Sequence, residues 1–154
     1  MKKVIFLVLL HSLLFASTNI KYNKYDTIFK KAGKHYHLPW FLIKMVAITE
    51  NSKLKANLVR KNKNGTEDIG LMQINTLWIK LLHKKFPHIN KKTLKNPIVN
   101  IYTGGYILYK NIKKYGYSWK SVGYYHSFNS KYSKKWIKRV KENIKFFISW
   151  SKRP

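Results

Sequence analysis

Asn62-Lys63-Asn64-Gly65-Thr66-Glu67-Asp68-Ile69-Gly70-Leu71-Met72-Gln73-Ile74-Asn75 is the stretch that decides the fold, read outward from its turn. Asn64-Gly65 is the strongest two-residue hairpin signal, because both residues tolerate the positive φ that a type I′ turn demands. Short strands are expected on either side, over 58–61 and 66–69. Beyond them the pattern alternates: Met72 and Ile74 are expected in the core, Gln73 and Asn75 on the other side with amides free for a polar ligand. The same alternation puts Glu67 and Asp68 on opposite faces, so at most one of them reaches a common cleft. Alternation does not choose between them; Asp68 is the better candidate by motif, and Glu67 is expected to face solvent.

Upstream lies Trp40-Phe41-Leu42-Ile43-Lys44-Met45-Val46-Ala47-Ile48-Thr49-Glu50, the most apolar helical stretch outside the N-terminus, with Pro39 suited to its first turn. At helical spacing Ile43, Val46, Ala47 and Glu50 share one face, so the acid lies on the stripe that should be buried. Burial disfavours the charged form of a carboxylate, which is the setting a general acid needs. A fraying helix end would instead return Glu50 to water, and position alone leaves both readings open.

Further helices follow from periodicity and caps. One over 21–34 carries Tyr25, Ile28, Phe29 and Ala32 and should stop near Gly33. Asn75 is placed to cap a helix through Trp78, Leu81 and Leu82. Asn96-Pro97 opens another, with Ile98, Ile101, Gly105, Leu108 and Ile112 at helical spacing and Gly116 as its stop. A short buried helix is expected over 119–127. The last runs over 132–150, with Trp136, Val140, Ile144, Phe147 and Ile148 on one stripe and Lys134, Lys138, Lys141 and Lys145 opposite. The architecture implied is α+β, mostly α, with one small hairpin.

The first residues are set apart. Met1-Lys2-Lys3, an apolar run broken by His11 and Ser12, and the small residues Ala16-Ser17-Thr18 have the form of a secretory signal peptide over 1–18, too short and interrupted to span a membrane. Residues 19–154 are then a single domain exported to the periplasm, touching a membrane only through an uncleaved signal. With no cysteines, stability must come from the core, for which 45% hydrophobic residues are ample. The chain carries 32 Lys+Arg against 5 acidic residues, a formal charge of +27, which favours anionic surroundings. Only Arg60, Arg139 and Arg153 are arginines, whereas nucleic-acid readers lean on Arg for bidentate contacts. No nucleic-acid partner is expected.

Glu50 at the end of its apolar helix, with Gly70-Leu71-Met72-Gln73-Ile74-Asn75 after the hairpin, resembles the lysozyme-like superfamily. It is more closely similar to the small single-domain lytic transglycosylases that accompany bacterial secretion and pilus systems. Ala32-Gly33 through Leu38-Pro39, Asn96-Pro97 through Leu108, and Trp119 through Tyr125-His126-Ser127 extend the resemblance over roughly residues 28–140 in the family order. It implies a lysozyme-like fold with a hairpin beside the catalytic helix. It also implies cleavage of the MurNAc–GlcNAc bond of peptidoglycan glycan strands, with 1,6-anhydro-muramyl ends and Glu50 as acid and then base. Gln73 and Asn75 would hydrogen-bond the sugars, and Tyr125 would turn its hydroxyl to the carboxylate or the sugar. His126 stands beside it where many relatives carry Asn. Components of a secretion, conjugation or pilus apparatus are the implied partners.

Asp68 sits where animal-type lysozymes carry a second carboxylate, so it could stabilise an oxocarbenium ion or act as nucleophile, and hydrolysis is the alternative reaction. The family usually follows its glutamate with Ser and places another Ser near the hairpin against the acid. Here Asn51-Ser52 follows Glu50 and Val59-Arg60 occupies the later position; Ser52 is the candidate for the first contact and the second has no evident replacement. His35 and His37, with His83 and His88, lack acidic or Cys companions, so neither a metal site nor a cofactor is expected. A non-catalytic cationic protein that binds wall polymer or membrane is the reading from a different class.

Overall fold

The structure, a computed structural model, describes residues 25–151; the expected signal peptide lies outside them. The chain opens with α1 (Asp26–Tyr36) and α2 (Trp40–Glu50). Helix α1 does not stop at Gly33 but runs on to Tyr36, and the break comes at His37 with a left-handed φ of 53°. Gly33 serves a different purpose inside the helix. A Cβ there would lie 2.8 Å from that of Trp40, so the glycine is what lets α2 start against α1.

Helix α2 is buried all round, from Leu42 through Thr49, and not along one stripe as its amphipathic reading suggests. It packs against α1, against α4 (Pro97–Tyr115) and against α6 (Ser130–Ser151). This central position encloses even Lys44, whose side chain is fully buried and pairs with Asp26 at the start of α1. Its ammonium also lies 5.8 Å from the Trp40 ring and 5.5 Å from that of Phe147. Burial pushes the Lys44 pKa below the ordinary lysine value, and Asp26 opposes that shift. Removing the carboxylate takes away the charge that opposes the desolvation of this buried ammonium, so Asp26→Asn is expected to destabilise the fold by about 3 kcal/mol. Calorimetry at neutral pH checks this; an unchanged midpoint would show the pair to be energetically silent.

The hairpin forms at the expected place and gains a third strand: β1 (Val59–Lys61), β2 (Glu67–Ile69) and β3 (Ile74–Asn75) make an antiparallel sheet in that order. Asp68 sits opposite Arg60 on one side and Asn75 on the other. Gly65 takes the left-handed turn position with φ 78°.

Asn75 caps α3 (Thr76–Leu82) by accepting from the Leu77 N–H at 3.0 Å. This helix packs on the sheet with one side, so of the expected stripe Leu82 is buried, Trp78 is half-buried and Leu81 is exposed. After a 3-10 turn (Thr93–Lys95), Asn96 accepts from the Ile98 N–H at 2.9 Å to start α4, and Gly116 ends it, both as expected. Helix α5 (Trp119–Gly123), capped by Ser118, is shorter than the expected span because turns take over at Tyr124; Trp119 at its start is exposed. Helix α6 seals the core with Trp136 and Val140 and leaves Lys134, Lys138, Lys141 and Lys145 exposed. Ile148, expected on the buried stripe, lies beyond the core's reach and is exposed. No helix among the described residues is long and apolar enough to cross a membrane.

Candidate active site

Glu50 is the last residue of α2, and that end does not fray. Arg60 from β1 donates to the Glu50 carbonyl at 2.9 Å, and Arg139 from α6 donates to the Thr49 carbonyl at 2.9 Å. Two cations thus satisfy carbonyls that a helix C-terminus leaves without intrahelical partners and oppose its negative dipole end. Asn51, which follows the acid where the resemblance implied Ser, is buried. Its amide donates to the carbonyls of Lys55 (2.8 Å) and Gly70 (3.3 Å), tying the helix end to the turn beyond β2.

The Glu50 side chain is only 14% exposed. Its Oε1 accepts from the indole Nε1 of Trp136 at 2.7 Å, and Nδ1 of His126 lies 3.4 Å from the same oxygen. Ser52, the expected contact, is exposed. The donor comes instead from α6, 86 residues along the chain. Sequence reasoning put Trp136 on the apolar stripe and missed this. The available signal was chemical: a buried indole needs an acceptor for its N–H, and this chain has few carboxylates to offer.

The opposite wall is organised by Gly70 and Asn100. Gly70 has φ 81°, and a Cβ on it would fall 2.2 Å from the Asn100 Nδ2. Asn100 is fully buried in α4. Its Nδ2 donates to the carbonyls of Ile69 (2.9 Å) and Leu94 (2.8 Å), and its Oδ1 accepts from the Met72 N–H (2.7 Å). This amide imposes a turn over 70–73, so Gln73 does not alternate with Asn75 along a strand. Gln73 is left-handed at φ 48°, and its Nε2 donates back to the Gly70 carbonyl at 2.8 Å. Met72 and Ile74 are in the core as expected.

Asp68 faces the cleft, as its motif position implied, and alternation keeps Glu67 out of it. Its carboxylate accepts from Asn75 Nδ2 at 2.7 Å and from Asn62 Nδ2 at 3.1 Å. The Asn75 amide is therefore engaged three times inside the protein, with Asp68, with the Thr66 hydroxyl and with the α3 cap. Glu67 points elsewhere and is less solvent-facing than expected: it pairs with Lys91 at 2.8 Å, which holds its carboxyl below the usual range.

Tyr125 and His126 follow α5. The Tyr125 hydroxyl donates to the Met72 carbonyl at 2.7 Å and not to Glu50. Burial pushes this phenol well above its ordinary pKa, with the charges of Glu50 and Asp68 adding to the effect, so it remains a neutral donor. Its ring stacks on Trp136 at 6.0 Å, and the His126 ring lies face to face with the same indole at 5.5 Å and 3°.

Glu50, Asp68, Gln73, Asn75, Tyr125 and His126 thus line one cleft of about 270 Å³, with Trp78 at its side. Larger concavities lie elsewhere. One, about 540 Å³, is walled by Tyr36, Phe86, Tyr102 and Tyr106 and has no carboxylate; another, about 790 Å³, has Glu142 among the lysines of α5 and α6; a third, about 570 Å³, lies between the hairpin turn and α3 and has no carboxylate. The cleft brings together two carboxyl groups from different elements, Glu50 from α2 and Asp68 from β2.

A protein-family profile described as "Transglycosylase SLT domain" matches residues 27–147. The chain is 34% identical over 119 residues to the invasion protein IagB of Salmonella typhimurium, covering 75% of this chain and 73% of that protein. It is 31% identical over 116 residues to protein IpgF of Shigella flexneri, covering 75% and 71%. A peptidoglycan-binding-like protein of Escherichia coli O157:H7 is 35% identical over 105 residues, covering 64% and 62%.

Proposed function

The chain belongs to the transglycosylase SLT domain family, a lytic transglycosylase acting on peptidoglycan, and on that footing we propose that Glu50 carries its chemistry alone as acid and then base. The observation behind this reading is the half-enclosed Glu50 carboxyl, with a single strong donor and a cleft before it. Protonated Glu50 gives its proton to the glycosidic oxygen as the C1–O bond breaks and the electron pair leaves with that oxygen. The resulting carboxylate takes the proton of the muramyl 6-hydroxyl while O6 bonds to C1. Glu50 is protonated again at the end, and no water is consumed.

Asp68, pinned by Asn62 and Asn75, supplies a fixed carboxyl beside the developing positive charge. Gln73 and Asn75 shape the floor, and Tyr125 holds the Met72 carbonyl and with it the turn. His126, exposed at the rim, is the side chain available to touch sugar. The neutral phenol and the engaged amides act by keeping the wall rigid.

The test is digestion of purified peptidoglycan followed by mass analysis of the muropeptides. Products lighter by one water, with anhydro ends, are expected; reducing ends would move the reading to hydrolysis with Asp68 as partner. Asp68→Asn is expected to slow release by about tenfold to a hundredfold without changing the product, since it alters an electrostatic contribution and not the proton shuttle. A switch of product in that variant would overturn the division of roles.

The wall places the work outside the cytoplasm. We extend the proposal to a periplasmic enzyme, with residues 1–18 as signal peptide and 19–154 as one domain, that opens peptidoglycan locally for a secretion, conjugation or pilus apparatus. The motif resemblance supports this, as does the relative named as an invasion protein. Loss of apparatus assembly, but not of growth, in a deletion strain would be the expected result.

A further inference from the structure

The groups packed around Glu50 are nearly all occupied elsewhere. Arg60 and Arg139 spend their guanidinium donors on the backbone carbonyls of Glu50 and Thr49. The Tyr125 hydroxyl is held by Met72, and Asp68 by two asparagines. Two groups are left to touch the carboxyl, the indole N–H of Trp136 and Nδ1 of His126, and both fall on Oε1. Among the described residues no hydrogen bond reaches Oε2.

An indole N–H is a donor only. Facing it at 2.7 Å, Oε1 must accept in both protonation states of the acid. We infer that Trp136 is a positioning residue that assigns the proton of Glu50 to Oε2, making that single oxygen both the donor to the leaving glycosidic oxygen and the acceptor from the 6-hydroxyl. This rests on the acid–base role proposed above and goes beyond it by naming the oxygen and the group that selects it.

Without the N–H, the proton can sit on either oxygen and the carboxyl can rotate about its terminal torsion, so part of the population presents the wrong atom. The indole itself is locked for this task. It is only 2% exposed, and Tyr125 and His126 both lie nearly parallel to it. Here a donor built into α6 occupies one oxygen and leaves the other to substrate.

Two replacements at Trp136 test the inference on soluble glycan strands. Trp136→Phe removes the N–H, and benzothienylalanine at the same position replaces the N–H by sulfur while keeping the shape of the ring system. Both are expected to lose about a hundredfold in kcat with KM unchanged, the signature of misplaced chemistry without lost binding. The isostere should also keep the wild-type melting temperature. Should Trp136→Phe fail to fold, the isostere decides alone, and wild-type kcat in it overturns the assignment.

A second readout requires no activity. In the NMR spectrum of folded Glu50→Ala, the Trp136 indole N–H resonance should move away from its wild-type position, and an unmoved resonance would break the inference whatever the enzyme does. Reducing-end products from the wild type would count against the transglycosylase chemistry but not against the oxygen assignment, because a hydrolase also needs an oriented acid.

Discussion

Glu50→Gln is expected to lower the release of anhydro-muropeptides by about a thousandfold, within the range a positioned general acid contributes. Glutamine keeps an oxygen that can accept from Trp136 Nε1 and the same shape at the end of α2, so the fold should hold and the melting temperature should stay near that of the wild type. What disappears is a transferable proton. Binding to isolated wall should survive and remain sensitive to salt, because the formal charge of +27 is set by lysines distributed over the chain. Undiminished lysis in the variant would end the acid–base assignment and return the protein to the class of cationic binders.

Asn100→Leu is expected to have the largest effect on stability. One buried amide serves the Ile69 carbonyl, the Leu94 carbonyl and the Met72 N–H. Leucine has a similar volume and none of these partners, so three buried backbone groups lose their hydrogen bonds at roughly 1–3 kcal/mol each. A combined cost of about 4 kcal/mol is a large share of the 5–15 kcal/mol that holds a typical domain together. Thermal unfolding should shift down by about 15 °C on the usual scale for a domain of this size. Residual activity should fall by more than the folded fraction accounts for, since the same amide holds the turn carrying Gln73 and the carbonyl that anchors Tyr125. A folded variant with wild-type activity would show that the turn is held mainly by Gly70 and the sheet.

Both predictions depend on contacts of very different legibility. The apolar helix ending in Glu50 and the Asn64-Gly65 hairpin could be read directly, because periodicity and turn chemistry act over a few residues. So could the caps at Asn75 and Asn96, where a side chain bonds an N–H two positions on. The six site residues were assembled by resemblance, and the structure brings them to one cleft. Their orientations differ from expectation in a consistent way. Gln73, Asn75 and Tyr125 each turn a donor inward, to Gly70, Asp68 and Met72, because buried donors are satisfied within the protein first, while the Gln73 Oε1 stays buried without a hydrogen-bond partner among the described residues.

Local pattern by itself determined where α2, the hairpin and the later helices lie, and that a scarce carboxylate ends the most apolar of them. It also determined that Glu67 and Asp68 take opposite faces of the sheet, while the choice of Asp68 for the cleft came from the motif. Only the tertiary structure decided that α2 is enclosed on all sides, that Arg60 and Arg139 keep its end from fraying, that Asn100 bends the turn after Gly70, and that Trp136 grips one oxygen of the acid. These are contacts between segments far apart in the chain, and their partners are chosen by packing geometry and by the hydrogen-bonding needs of buried polar groups, neither of which has a period that a sequence can display.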